Sequence, residues 1–345
     1  MEQKKGMRRS DMIDVAKGIG ILSVVWAHAK GPYSGYIYQF HMPLFFLLSG
    51  YLYSRRKPVG AYAAGKFKTL YLPFVVWNIA FTLMKAFTGL QKFSRSGLVR
   101  EIGKILLTLS KDGRFLGATW FLGALFAVSV LYRLLDALIK DEKRAAGVLL
   151  GAFGAAAVFG FCVTLPAMLS RTLILSLFFA AGRWVQCERE RLEKFGGPLL
   201  AVLCAVGFWW IGGRNSANMG KNQYSSPALF VVGAMMASYV TVYLSALIDR
   251  WVPAGRKALA CLGRKSLPIV IWQFVVFRAV IALQLALEGI SLSKTLDYYP
   301  CYKTGNGWWM VYTIVGLAGS ILLGEVLSAM GRGAAAWRPA SRKKA

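Results

Sequence analysis

The sequence predicts an all-α membrane protein that crosses the bilayer about ten times, and three observations predict this fold class. The residues AVILMFWYC make up 56% of the chain and its mean hydropathy is +0.48, an apolar share above that of an average soluble domain. The apolar residues fall in windows of about 20 residues, the helix length that crosses ~30 Å of hydrocarbon. The basic residues stand in short runs between these windows.

Ten segments are predicted to span the membrane, each an apolar run bounded by charged or turn-forming residues. In chain order they are residues 12–29, 37–54, 69–90, 116–136, 146–165, 168–186, 197–213, 226–248, 266–287 and 308–330. The second segment is short, and Pro166 separates the fifth segment from the sixth. We therefore expect residues 1–345 to form a single membrane domain, with a short N-terminal tail (1–11) and a basic C-terminal tail (331–345).

The basic residues predict the orientation of the chain. Lys and Arg number 42 against 15 Asp and Glu, a formal net charge of +27. The set of alternating loops that includes both termini carries more than twice as many basic residues as the other set. Since cytoplasmic loops carry an excess of Lys and Arg, both termini are expected in the cytoplasm, in a multi-pass protein of the bacterial plasma membrane. Charges placed between apolar segments indicate membrane lipids, not nucleic acid, as partners.

One loop departs from this charge pattern. Residues 91–115 are expected outside, yet they hold six basic residues. Their apolar residues Leu98, Ile102, Ile105, Leu106 and Leu109 recur with a helical period, which predicts an amphipathic helix along the interface. A surface helix on anionic headgroups and a cradle for an anionic substrate are both compatible with this pattern.

No metal site or disulfide framework is expected. The five cysteines are scattered without a CxxC pair, and His28 and His41 are the only histidines of the chain. These counts supply neither the spacing nor the number of ligands of a structural metal site.

The first span carries the most informative spacing. Lys17 and His28 are eleven residues apart, which places them about 20° apart around a helix and ~16 Å apart along it. Asp14 lies about 40° from His28 on the same face. Histidine is suited to proton transfer near neutral pH, and ionisable groups within a membrane usually line a site. The structural alternatives are a Lys17–Asp14 pair near the helix end and a hydrogen-bonded His28 in the bundle.

Several sequence blocks resemble one family. Residues 14–28 read DVAKGIGILSVVWAH, and residues 40–52 read FHMPLFFLLSGYL. Further matches are KFKTLYLPF at 66–74, TWFL at 119–122 and LGRKSLPI at 262–269. Together they resemble the acyltransferase 3 family of integral membrane O-acyltransferases, and most closely its branch similar to fucose 4-O-acetylases.

This resemblance implies a ten-helix enzyme that moves an acyl group, commonly acetyl from acetyl-CoA, to a hydroxyl of a glycan or lipid-linked sugar. The acyl-CoA is a donor substrate, and no permanently bound cofactor is implied. Lys17 stands where the family commonly has arginine, and Gln273 where many relatives have histidine. A lysine keeps the charge but lacks the bidentate fork of arginine, and a glutamine can hydrogen-bond but cannot transfer a proton.

The residues expected to carry this chemistry fall into three groups. His28 is the expected general base, with Lys17 as the second catalytic candidate. Lys17, Lys66 and Lys68 are expected to bind the phosphates of the donor near the cytoplasmic side. The residues expected at the acceptor are His41, Ser49, Trp120 and Gln273.

Two questions stay open at the level of sequence. His41 precedes Met42-Pro43, so it is expected at a helix start, where it could cap the helix, contact a sugar or act as a second proton relay. A transporter or exporter of a polysaccharide or sugar is the alternative function, because buried polar residues also line transport pathways.

Arg278 and Glu325 are charged residues inside the ninth and tenth segments, and they are expected to pair.

Overall fold

The computed structural model describes residues 2–110 and 113–336. Within these residues the chain forms fifteen α-helices and one short two-stranded hairpin. The helices are α1 (Glu2–His28), α2 (Ser34–Tyr38), α3 (His41–Tyr51), α4 (Val59–Lys66), α5 (Leu72–Phe87), α6 (Arg95–Thr108), α7 (Trp120–Asp136), α8 (Glu142–Cys162), α9 (Leu169–Cys187), α10 (Arg189–Leu192), α11 (Pro198–Gly212), α12 (Pro227–Trp251), α13 (Pro253–Arg264), α14 (Ser266–Leu287) and α15 (Trp308–Ala336). A π-helical turn, Phe67–Tyr71, joins α4 to α5, and a 3-10 turn, Leu292–Leu296, follows α14. The hairpin pairs β1 (Ala217–Asn218) with β2 (Gln223–Tyr224) in antiparallel register.

The all-α fold class is confirmed, and each of the ten predicted segments falls on a helix. Five helical segments of the described chain are long and apolar enough to cross a membrane: Val59–Phe87, Glu142–Cys162, Pro227–Trp251, Ser266–Leu287 and Trp308–Met330. The total of ten crossings stays a prediction. The predicted helix within residues 91–115 is α6, and Ile105 on its apolar face is buried.

The ends of the chain differ from the predicted tails. Helix α1 begins at Glu2, ten residues before the start predicted for the first span. Helix α15 continues to Ala336, into the segment predicted as the C-terminal tail, and residues 337–345 of that tail lie outside the described residues.

Glycines allow two pairs of helices to cross at close range. A Cβ on Gly50 of α3 would lie 1.9 Å from the carbonyl oxygen of Phe179 in α9, and one on Gly182 would meet α3 at 2.0 Å. A Cβ on Gly263 of α13 would lie 1.9 Å from the carbonyl oxygen of Asp14 in α1. Small residues at such crossings let membrane helices pack backbone to backbone, so the bundle holds α1 and α3 firmly against their neighbours.

A buried carboxylate ties together helix ends on the predicted cytoplasmic side. Asp136, at the end of α7, accepts a hydrogen bond from the Tyr53 hydroxyl at 2.5 Å and pairs with Arg55 at 2.5 Å. Arg133, one turn earlier on α7, lies 3.8 Å from the same carboxylate. Because a buried carboxylate is costly unless it is paired and hydrogen-bonded, this cluster fixes the α3–α4 loop against α7.

The expected pairing of Arg278 with Glu325 is wrong. Glu325 pairs with Lys265, which directly precedes α14. Arg278 lies thirteen residues after Lys265, ~20 Å further along the helix axis. There it donates hydrogen bonds to the carbonyl oxygens of Thr295 at 2.9 Å and Arg114 at 2.8 Å. Arg278 therefore joins the loop after α14 to the loop before α7.

Candidate functional site

His28 lies at the C-terminal end of α1 and contacts α14. Its Nδ1 is 2.9 Å from Oε1 of Gln273, and its ring centroid is 4.8 Å from that of Phe274. The Gln273 amide nitrogen points to the carbonyl oxygen of Val270 at 3.5 Å, which directs Oε1 towards the imidazole. An amide oxygen only accepts, so Nδ1 carries the proton, and the basic lone pair of this tautomer is on Nε2.

His41 is the second histidine of the site. Its ring centroid lies 6.5 Å from that of His28, in an edge-on arrangement. Its Nδ1 donates a hydrogen bond to the carbonyl oxygen of Ile37 at 2.7 Å, and the side chain is buried. His41 therefore closes the C-terminal end of α2 and does not cap the start of α3. The same tautomer argument puts its basic lone pair on Nε2.

Two loops cover this site. The Cys301 thiol donates to the carbonyl oxygen of His28 at 3.5 Å, and burial raises the pKa of this thiol to about 12, so it stays protonated. The Tyr299 ring lies 5.2 Å from Phe274. A Cβ on Gly117 would lie 1.9 Å from the Tyr299 hydroxyl oxygen. The loop after α14 and the loop before α7 thus meet above Phe274, where Arg278 joins them.

Lys17 lies at the other end of the stripe on α1. Its Nζ is 3.4 Å from Oδ1 of Asp14, and Arg264 of α13 approaches the other oxygen of Asp14 at 3.7 Å. The Lys17–Asp14 pair is therefore present. Ile21 and Val24, which lie between Lys17 and His28 on the same face, are fully buried. Packed side chains thus fill the stripe between the two residues in this structure.

The lysines expected at the donor lie on the same side as Lys17. Lys66, at the end of α4, is half-buried, and its charge is repelled by those of Lys17 and Lys57. Its Nζ lies 5.5 Å from the centroid of the Tyr62 ring. Lys68 is exposed in the π-helical turn. Since like charges this close favour a counter-anion, this end of the bundle suits an anionic group.

The chain matches one known family over most of its length. A family model described as an acyltransferase domain matches residues 11–325 of the 345. The chain belongs to the acyltransferase 3 family. It is thus a membrane acyltransferase, an enzyme that transfers an acyl group other than an aminoacyl group from a donor to an acceptor. Searches of curated proteins and of solved structures returned no match.

The remaining predicted residues of this acyltransferase lie in different places. Gln273 contacts His28 directly, although 245 residues separate them in the chain. Trp120 is buried at the start of α7, three residues after Gly117, and therefore on the side of the bundle where the two loops meet. Ser49 is eight residues after His41 on α3, ~12 Å along the axis. The structure thus groups His28, His41 and Gln273, and places Ser49 away from them.

Two aromatic residues at the site were missed by the sequence analysis. Phe274 packs against His28, and it directly follows Gln273 in the chain. Tyr38 lies 5.6 Å from the His41 ring, and its hydroxyl donates to the carbonyl oxygen of Ala27 at 2.9 Å. In the sequence, only their closeness to Gln273 and His41 indicates that Phe274 and Tyr38 belong to the site. Aromatic residues are too common in membrane spans for that signal to stand alone.

Proposed function

We propose that this acyltransferase moves an acetyl group from acetyl-CoA to a hydroxyl of a glycan or lipid-linked sugar, with His28 as the general base. The observation that carries the proposal is the hydrogen bond between His28 Nδ1 and Gln273 Oε1 at 2.9 Å. This bond fixes both the tautomer and the orientation of the imidazole. A base held in this way is what proton removal from an alcohol requires.

In the proposed reaction, His28 Nε2 takes the proton of the acceptor hydroxyl as its oxygen attacks the carbonyl carbon of the thioester. The tetrahedral intermediate then collapses, the carbon–sulfur bond breaks, and an ester of the acceptor forms. The departing thiolate of CoA receives the proton from His28, which returns the imidazole to its starting state. His41, whose ring centroid is 6.5 Å from that of His28, orients the acceptor or relays this proton. Gln273 acts through His28 and is a positioning residue.

The donor is proposed to approach from the side of Lys17. The 3′-phosphate and pyrophosphate of CoA would replace Asp14 as the counter-charge of Lys17 and would offset the repulsion between Lys17 and Lys66, with exposed Lys68 at the rim. The thioester then has ~16 Å to cover along α1 to reach His28. Because Ile21 and Val24 fill this path, donor binding requires these side chains to move. The acceptor reaches His28 from the opposite side of the bundle.

Membrane vesicles supplied with acetyl-labelled acetyl-CoA test the proposed function. Transfer of label to surface glycans, detected by mass spectrometry of the released sugars, supports it, and vesicles with the His28→Gln variant at equal abundance should show no transfer. Movement of unlabelled intact glycan across the membrane, without acetylation, would identify an exporter instead. Label on lipid or protein but not on sugar would refute the glycan acceptor.

A further inference from the structure

A polar cavity lies close to the two histidines. It has a volume of about 500 Å³ and is formed by the start of α2, the end of α11 and the chain that leads into the β1–β2 hairpin. Its principal lining residues are Tyr33, Tyr36, Gly212, Arg214, Asn215 and Ser225. The last turn of the same short helix, α2, holds His41 through the carbonyl oxygen of Ile37. The cavity and the histidines are therefore at opposite ends of one five-residue helix.

The aromatic residues that line the cavity are Tyr33 and Tyr36, and Trp209 packs against both of them from outside the lining. The rings of Tyr36 and Trp209 stack with a centroid distance of 5.0 Å and an interplanar angle of 25°. Tyr33 lies 5.8 Å from Trp209, and these two side chains are 65% and 59% exposed. A Cβ on Gly212 would come within 2.1 Å of the Tyr36 ring, so this ring rests on the backbone of α11. Such a platform offers flat apolar faces to a ligand.

Asn215, a polar lining residue of the cavity, is held in place by hydrogen bonds. Gln39 and Asn215 are buried and exchange two hydrogen bonds: the Gln39 amide nitrogen donates to the Asn215 carbonyl oxygen at 3.0 Å, and the Asn215 amide donates to Gln39 Oε1 at 3.1 Å. The backbone nitrogen of Ser226 donates to Asn215 Oδ1 at 2.9 Å. Gln39 lies two residues before His41. Asn215 is thus tied, through Gln39, to the segment that carries His41.

The lining residues also set the charge of a ligand. Arg214 contributes the guanidinium group, stacked 4.4 Å above the Trp210 ring, and no Asp or Glu is among the described residues that line the cavity. Ser225 and Ser216 add hydroxyls at the rim, 2.7 Å from each other. Aromatic rings together with hydroxyl and guanidinium groups suit a sugar ring, whose C–H bonds are apolar and whose hydroxyls are polar.

We propose that this cavity is a subsite for a sugar ring of the acceptor glycan, neutral or negatively charged, that lies beyond the sugar acylated at His28. This inference rests on the proposed function, because it assumes a glycan acceptor. Both connections that form the cavity, between α1 and α3 and between α11 and α12, are on the predicted outer side. Sugars with a free ammonium group are disfavoured by Arg214. The subsite would orient an extended glycan so that one of its hydroxyls reaches His28.

Binding measured without catalysis tests the subsite. The purified protein in lipid nanodiscs is titrated with fluorescently labelled short oligosaccharides of three kinds: neutral, uronic-acid-containing and with free amino groups. Neutral or acidic probes should bind, and Trp209→Leu and Tyr36→Leu should each weaken binding by roughly tenfold, the loss expected for one aromatic contact. Trp251→Leu is the matched control, because Trp251 is 66% exposed at the far end of α12. It should bind as the unaltered protein does.

The outcomes separate this proposal from the proposed function. Binding of the probes without acetyl transfer in the unaltered protein would refute the catalytic proposal and leave the subsite intact. Lack of binding of neutral and acidic probes, or unchanged affinity in both Trp209→Leu and Tyr36→Leu, would overturn the subsite. An equal loss in Trp251→Leu would overturn it as well, because that result assigns the exposed tryptophans to membrane anchoring.

Discussion

Replacement of Gln273 by leucine tests whether this residue orients the general base. Gln273 is fully buried, and leucine has a similar volume but offers no acceptor to the His28 Nδ1–H group at 2.9 Å. Leaving a donor unpaired costs about 1–3 kcal/mol, and because His28 is only half-buried the lower part of this range applies. The bond to Gln273 strengthens when His28 takes up the proton, because hydrogen bonds to charged groups are the stronger ones, and only this difference acts on kcat. At 1.36 kcal/mol per factor of ten, a loss of about 1–2 kcal/mol in the transition state lowers kcat by about 5- to 30-fold.

The assay is transfer of label from acetyl-CoA in vesicles that contain equal amounts of each variant, with thermal unfolding as a check on folding. Gln273→Glu keeps an oxygen acceptor at the same position and should restore most of the activity, which a packing defect would not allow. A Gln273→Leu enzyme with kcat within twofold of the unaltered protein would refute the orienting role. So would a loss that Gln273→Glu does not reverse.

Three further predictions concern the rest of the chain. Gly50→Ala should lower the Tm, because the new Cβ would stand 1.9 Å from a carbonyl oxygen of α9, where ordinary contact begins at 3.4 Å, and overpacking costs about 1–3 kcal/mol. Gly65→Ala is the control, because a Cβ on Gly65 would lie in open space. Equal Tm values for the two variants would contradict the close crossing of α3 and α9. Lys17→Arg should keep or improve activity and Lys17→Ala should raise the apparent KM for acetyl-CoA, whereas equal losses would favour a structural ion pair. Reporter fusions after Ala345 and within 215–225 should report opposite sides of the membrane; the same side would contradict the orientation.

The helices could be predicted from the sequence because their signal is local. A run of about 20 apolar residues identifies a membrane span from its own residues alone, whatever the rest of the chain does. The same reasoning placed the amphipathic helix α6 within residues 91–115. It missed the helical conformation of residues 2–11. These residues are polar and continue the helix beyond the predicted span, so they lack the apolar composition by which a span is recognised. Short helices such as α2 escaped prediction for a similar reason, because five residues show no periodicity.

The candidate site could be predicted only in part, because its geometry depends on contacts between distant residues. His28 was selected from its own span, and Gln273 was recognised as a residue able to hydrogen-bond, but no spacing in the sequence joins the two. The predicted pairing of Arg278 with Glu325 was wrong for the same reason. The sequence assigns each charge to a span but does not say how far along the membrane normal it lies, and in the structure Lys265 lies level with Glu325. The Gln39–Asn215 pair gave no signal, since polar residues next to a span look like ordinary loop residues.

The central claim is that His28 is the general base and His41 has an auxiliary role, and one comparison tests it directly. His28→Gln and His41→Gln proteins, purified and matched for folding, are compared by kcat for acetyl transfer to the acceptor. Glutamine keeps size and hydrogen bonding but cannot take up the proton, so kcat of His28→Gln should fall by roughly 10²-fold or more, while His41→Gln retains substantial turnover. A His28→Gln enzyme that works at nearly the unaltered rate, beside an inactive His41→Gln enzyme, would contradict the account and move the base to His41.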